Sequence, residues 1–288
     1  EPREVGGTCL NRGCVPTKAL LHGAGPECDW PALAEETARV VSTLRAGQEK
    51  QFQAARVQVI PHRAVVTAPH TVEAGGEIYE ARNILIAAGS VPVRPPIPGL
   101  DTPGVVTSDE LLADIRPRNR MVIIGGGVIG VELAAVWAAA GCQITIVEAL
   151  DRLVANLDRE LSQGLAMELK KSGVEVFTGA SVSRIEPGPA VVFAQKGAEH
   201  TVSADTVLAA TGRRPATEGL FADGAVPELE RGFVRVDGSF RTSIPSIYAI
   251  GDAIGGAMLA HKAEAEGRAV ADLLLGRAPV RGTAPIPS

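Results

Sequence analysis

Residues 121–148 restrict the fold more than any other stretch of the chain. Met121-Val122-Ile123-Ile124 is a short apolar run, and Gly125-Gly126-Gly127-Val128-Ile129-Gly130 follows it directly. A helical pattern then runs from Val128 to Ala140, Gly141 stands where a helix takes its C-terminal cap, and Gln143–Val147 is a second strand-like run. A G-x-G-x-x-G alone is weak evidence. Here it follows a strand and opens a helix inside a βαβ unit, which is the context of a dinucleotide site. The glycines let backbone approach a pyrophosphate, and the helix N-terminus offers it N–H donors. Glu148 ends the second strand at the spacing of an acid that accepts from a ribose 2′-OH. Such a carboxylate repels a 2′-phosphate, and no arginine adjoins it (the nearest is Arg152), so NAD is expected over NADP.

The pattern around this unit occurs twice. Short β-like runs at Val57–Ile60, Ala64–Thr67, Thr71–Ala74 and Glu77–Glu80 lead to a buried-looking strand, Asn83–Ala87, and Gly89. Glu175–Thr178 leads through Val182–Ile185 and Val191–Ala194 to Thr206–Ala210 and Gly212. Each copy ends in a strand, a glycine and a proline three residues on. This predicts an α/β chain with two doubly wound, Rossmann-like domains, each carrying an inserted antiparallel β-meander. Aromatic residues are only 3% of a chain that is 45% hydrophobic, so its cores must be built from Ala, Val, Ile and Leu. That composition suits strands covered on both faces by helices. Further helices are expected over Leu33–Ala55, over Arg159–Lys171 after an Asp158 cap, and over His261–Leu275 before Gly276.

Chemistry enters at Cys9 and Cys14, set among glycines, a proline and a lysine. On an ideal helix, positions five apart lie about 8.6 Å from each other, whereas a disulfide needs Cα atoms roughly 4.4–6.8 Å apart. A bridge would therefore require local distortion, which Asn11 and Gly13 permit. Pro16 suits the first turn of a following helix, which puts Cys14 at an N-terminus where unpaired N–H groups stabilise a thiolate. From the residues alone, a redox pair and two unrelated buried cysteines both stand open. A zinc site lacks a second ligand pair, since the chain has no C-x-x-C, and no metal is expected. Cys28 and Cys142 carry no motif, and Cys142, which follows Gly141 at a helix-to-strand turn, reads as a packing residue. The net charge of −5 gives no case for nucleic acid or an anionic membrane. With neither a membrane-length apolar run nor a secretory signal, a cytoplasmic location is expected.

Thr8-Cys9-Leu10-Asn11-Arg12-Gly13-Cys14-Val15-Pro16-Thr17-Lys18 resembles the redox motif of the FAD-dependent pyridine nucleotide–disulfide oxidoreductases. Within that family the chain is most similar to the dihydrolipoyl dehydrogenase branch, over essentially all 288 residues. The resemblance implies that Cys9 exchanges with substrate and Cys14 faces the flavin. It pairs Lys18 with Glu132 beside the flavin; on local grounds Glu132 is equally a first-turn acid facing a helix dipole. FAD contacts are implied at Glu1, Gly7, Thr8, Cys9, Cys14, Lys18, Ala64, Ala88, Gly89, Ser90, Asp252 and the run Met258-Leu259-Ala260-His261. Ala88 stands where a hydroxyl residue is usual. The NAD pocket is implied at Gly125, Gly126, Gly127, Val128, Ile129, Gly130, Glu132, Glu148, Val182 and Gly212.

The implied domains are FAD-binding over 1–118, NAD-binding over 119–238, an FAD-binding return over 239–276 and a linker over 277–288. The family's FAD glycine-rich turn and its dimerisation domain find no counterpart in these residues. The implied reaction passes electrons from dihydrolipoamide through Cys9–Cys14 and FAD to NAD+. A mercuric or other disulfide reductase, or a non-catalytic nucleotide-binding fragment, is the alternative. Lipoyl groups of 2-oxo acid dehydrogenase or glycine cleavage complexes are the implied partners, with a homodimer as the full-length form.

Overall fold

A computed structural model describes residues 4–277 and 286–287, so Glu1 and most of the expected linker lie outside the described residues. The chain opens with α1 (Gly7–Arg12), α2 (Cys14–Gly23) and the long α3 (Trp30–Ala54). A meander follows: β1 (Ala64–Ala68), β2 (Thr71–Ala74) and β3 (Glu77–Glu80), then β4 (Ile84–Ile86) and β5 (Ser90–Pro92). Next come β6 (Val105–Thr107), α4 (Ser108–Ala113), β7 (Arg120–Ile124), α5 (Val128–Ala139), β8 (Gln143–Val147) and α6 (Arg159–Lys171). The second meander follows β9 (Glu175–Phe177) and comprises β10 (Ala180–Glu186), β11 (Ala190–Gln195) and β12 (Ala198–Ser203). The chain continues through β13 (Thr206–Ala209), β14 (Arg213–Pro215), β15 (Leu229–Glu230), β16 (Phe233–Val234), β17 (Ile247–Ala249) and α7 (Ala260–Leu274).

Two compact units result. One holds Thr8–Gly47 and Pro92–Gly212, the other Glu1–Gly7, Gln48–Val91 and Arg213–Ser288. The first is built on a five-stranded sheet in the order β6-β13-β7-β8-β9, with every pairing parallel. Strand geometry sends alternate side chains to opposite faces. Met121 and Ile123 accordingly join one apolar core with Leu133, Trp137 and Ile144, while Val122 and Ile124 join another with Val191, Phe193 and Val207. α5 closes the first face with Leu133, Ala134, Val136 and Trp137 all buried. α2 and α3 pack onto that same core through Leu20, Trp30 and Leu33, and Trp30 stacks on Trp137 with ring centroids 5.4 Å apart. By contact the redox helices therefore group with residues 92–212.

The other unit carries a parallel pair, β4 with β17, in the register Ile84↔Ile247, Leu85↔Tyr248 and Ile86↔Ala249. Its core gathers Ile84, Ile86, Ile247 and Ala249 with Val66, Ala225, Val234 and Ala253. Two sequence expectations need correction here. Residues 83–87 read as buried throughout, yet Leu85 is 40% exposed, because only alternate side chains face the core. Val57–Ile60 was expected to be a strand, but these residues carry no regular structure and leave Val57 51% exposed. A strand needs a neighbour to take its N–H and C=O groups. The counterpart segment, β9, has one in β8, whereas Val57 turns its N–H back to Phe52 O at 2.9 Å, closing the end of α3 instead. The two antiparallel meanders are present as expected. Among the described residues no helix is long and apolar enough to cross a membrane.

Candidate active site

The helical start of the chain breaks at Gly13, whose backbone (φ −146°, ψ −111°) belongs to neither α1 nor α2. A side chain there would bring its Cβ to 3.1 Å from Thr8 O, so the break is tight and suited to glycine. Cys14 consequently opens α2, as its position before Pro16 predicts. Cys9 and Cys14 are both thiols, Cys9 half-buried and Cys14 exposed. Burial pushes the Cys9 thiol from its ordinary 9.0 up to about 12, helped by a hydrogen bond and the charge of Cys14 and opposed by Lys18. Cys9 thus keeps its proton at neutral pH. Asn11, between the two cysteines, accepts a hydrogen bond from Arg45 Nε at 3.0 Å.

Packing of α2 on α5 brings Lys18 Nζ to 2.5 Å from Glu132 Oε1. The pair that the resemblance implied is therefore formed, and it lies open to water. The Lys18 side chain is 58% exposed and that of Glu132 29%. An ion pair that open to water is cheap to keep.

The glycine turn divides by role. A Cβ on Gly125 would strike Ala210 O, one on Gly126 would strike Leu153, and one on Gly130 would strike Gly125 O. These three positions let α5 and the sheet ends close on one another. At Gly127 a Cβ would meet nothing within 4 Å, and Gly127 caps α5 without any side-chain bond. An open glycine at an uncapped helix start fits a pyrophosphate. Val128 is exposed and Ile129 half-buried. Glu148 is buried at the end of β8, where Oε2 accepts the Gly126 N–H and Oε1 the Leu150 N–H at 2.7 Å. Gly212 (φ +114°) lies just past β13, beside β7, and its carbonyl accepts the Val93 N–H at 2.9 Å. Val182 packs half-buried against the core cluster that contains Phe193.

In the other unit, Ser90 is buried after Gly89 (φ +71°) and donates from Oγ to Asp252 Oδ2 at 2.5 Å. Arg213 clamps Ser90 from the other side, Nε to Oγ and Nη2 to the carbonyl, both at 2.8 Å. Asp252 sits in a 3-10 turn, Gly251–Ile254. That turn is tied to α7 by Lys262, whose Nζ reaches Gly255 O and Glu266 Oε1, each at 2.9 Å. Glu266 Oε2 in turn accepts the Gly251 N–H at 2.7 Å. Arg213, Lys262 and Glu266 escaped the sequence reading. Two opposite charges at i and i+4 beside the buried Ala269 and Val270 were the available signal. Met258 and Leu259 are half-buried before an α7 start that no side chain caps. Ala260 and His261 are exposed, and His261 Nε2 lies 2.9 Å from Pro287 O. Ala88 and Gly7 are exposed, while Thr8 and Ala64 are half-buried. Among the described residues no three His, Cys, Asp or Glu side chains gather as a metal site would require.

The sequence profile described as pyridine nucleotide-disulphide oxidoreductase matches residues 3–267. The chain belongs to that family. Dihydrolipoyl dehydrogenase of Chlorobaculum tepidum is 36% identical over 97% of this chain and 65% of its own length. That of Bacillus subtilis is 34% identical over 95% of this chain and 65% of its length. Among solved structures, the HOCl-induced flavoprotein disulfide reductase RclA from Escherichia coli superposes with a TM-score of 0.85. It is 34% identical, across 95% of this chain and 64% of that one. The chain thus has the mixed α/β fold of the flavoprotein disulfide reductases and spans about 65% of the length of the curated relatives. A flavin and a pyridine nucleotide are the cofactors of this family.

Proposed function

We propose that the chain carries the redox and nucleotide-binding residues of an NAD-dependent dihydrolipoyl dehydrogenase. The observation behind this reading is the pair of free thiols that flank the Gly13 break, with Lys18 and Glu132 paired alongside. In the oxidised state, one thiol of dihydrolipoamide attacks Cys9, and the Cys9–Cys14 bond breaks with Cys14 leaving as a thiolate. The second substrate thiol then displaces Cys9, giving lipoamide and the protein dithiol. Two electrons and the released protons leave the substrate in this exchange. Bound FAD supplies the two-electron carrier between that dithiol and NAD+. Gly89, Ser90 and Asp252 would hold the flavin, with Asp252 kept in place by Ser90 and by the Lys262–Glu266 bracket around its turn. Gly125–Gly130 would seat the NAD pyrophosphate, and Glu148 would receive its adenosine ribose. Lys18 and Glu132 keep opposite charges paired next to the redox helix, where hydride and thiolate chemistry needs a fixed field.

Lipoyl groups of 2-oxo acid dehydrogenase or glycine cleavage complexes are the proposed partners. A homodimer and a cytoplasmic location belong to the same proposal. The deciding assay is NADH oxidation with lipoamide as acceptor in the flavin-loaded protein. Cys9→Ser and Cys14→Ser should each lower the rate by about a thousandfold or more, as removal of a covalent participant does. Retained turnover in either variant refutes the assignment. Faster turnover of another disulfide than of lipoamide would keep the cysteines and replace the substrate.

A further inference from the structure

On the reading of Cys9 and Cys14 as a redox couple, we propose that Arg45 is a positioning residue that sets the stability of their disulfide through Asn11. α1 has only six residues and buries none of them fully, so it cannot hold its own geometry. Its shape must come from outside. α3 can provide it, because Trp30 and Leu33 fix it to the core and the same stripe stays buried at Thr37 and Val41. Arg45 stands at the next i+4 position along that stripe, where the helix reaches the redox segment. Its Nε donates to Asn11 Oδ1 at 3.0 Å in a part-buried contact spanning 34 residues. Asn11 lies between the two cysteines, two residues before the crowded Gly13.

Cys9 and Cys14 flank the Gly13 break as free thiols, and the Cys14 side chain acts directly on Cys9. An anchor that preserves the arrangement raises the effective concentration of each sulfur at the other and favours the closed form. With glutathione disulfide as oxidant the step balances. Two S–H bonds give one S–S bond, two electrons and two protons pass to the oxidant, and two glutathione molecules leave. Losing the Arg45–Asn11 bond should move this equilibrium roughly tenfold toward the dithiol, about 30 mV for a two-electron couple.

The test needs no flavin. The chain is equilibrated anaerobically in graded glutathione buffers, quenched in acid, alkylated and digested, and label is counted on Cys9 and Cys14 by peptide mass. Arg45→Met should shift the midpoint about tenfold in equilibrium constant. Asn11→Ala should shift it at least as far, and the double variant no further than Asn11→Ala. Arg45→Gln, read beside Arg45→Met, covers a failure of the methionine variant to fold. An unchanged midpoint in the Arg45 variants, or shifts that simply add in the double variant, overturns the proposal. A wild-type chain that forms no Cys9–Cys14 disulfide in any buffer sinks the redox reading itself and this inference with it.

Discussion

The two units carry the same strand, glycine and proline ending but surround it differently. After β13, Gly212 leaves a strand flanked on both sides, by β6 and β7, in a sheet of five. After β4, Gly89 leaves a strand paired only with β17 among the described residues. Burial follows the neighbours rather than the local sequence. Thr206, Val207, Leu208 and Ala209 are all buried, whereas in Ile84-Leu85-Ile86 the middle residue is 40% exposed. A short apolar run thus specifies a strand and its turn. The number of faces it buries is set by elements distant in sequence.

Core truncation breaks that comparison most directly. Ile123→Ala removes a fully buried side chain from the five-stranded sheet and should cost about 2–5 kcal/mol in urea unfolding. Leu85→Ala, at an exposed position of the other pair, should cost under about 1 kcal/mol. Similar losses at both sites would show that the second strand is covered in solution. The coenzyme comes next. A buried Glu148 should favour NAD(H) over NADP(H) by a factor of ~30–1,000 in titrations, from one charge-assisted hydrogen bond lost and one repulsion gained. Glu148→Gln should narrow that gap to within about tenfold, and equal affinities in the unaltered chain would remove Glu148 from the ribose site. The glycine turn gives the third contrast. Gly130→Ala pushes a methyl group into Gly125 O and should destabilise by about 1–3 kcal/mol while weakening NADH binding. At Gly127, where the added methyl meets no protein atom, Ala should leave stability within about 1 kcal/mol and affect only NADH affinity.

What could be read from the sequence was what short-range rules determine. Gly125–Gly130 between a strand and a helix, the meanders, and Cys14 at a helix start all follow from residues within one turn or hairpin of each other. Lys18–Glu132 was reachable only through resemblance, since no local rule joins residues so far apart in sequence. The openness of that pair was not legible, because exposure depends on how α2 lies on α5. Residues 57–60 misled because β-propensity does not register that the Val57 N–H closes back onto Phe52 O at the end of α3. Lys262 and Glu266 were passed over because charges at i and i+4 are ordinarily a solvated helix face. Here the helix turns that face toward the Gly251–Gly255 carbonyl and amide groups, which accept and donate in place of water.

The smallest expected effect concerns the proton on Cys9, and it separates the two cysteines from each other. Burial holds that thiol near 12, while an unfolded chain ionises it near 9.0. Between those values the unfolded state sheds a proton that the folded state retains, so stability falls as pH rises above 9 and is unaffected below it. The site is only half-buried, and solvent screening keeps this contribution to roughly 1 kcal/mol or less. Reactivity gives the clearer reading. In the dithiol state, iodoacetamide attacks the thiolate, so labelling of Cys9 should go on rising about tenfold per pH unit beyond pH 9. Lys18, whose charge opposes the upward push, provides the internal check: Lys18→Met should slow Cys9 labelling further at a given pH. Cys9 labelling that levels off below pH 9, measured by peptide mass at each cysteine, would show that the thiol is more open to water, or nearer a cation, than its place beside Cys14 implies.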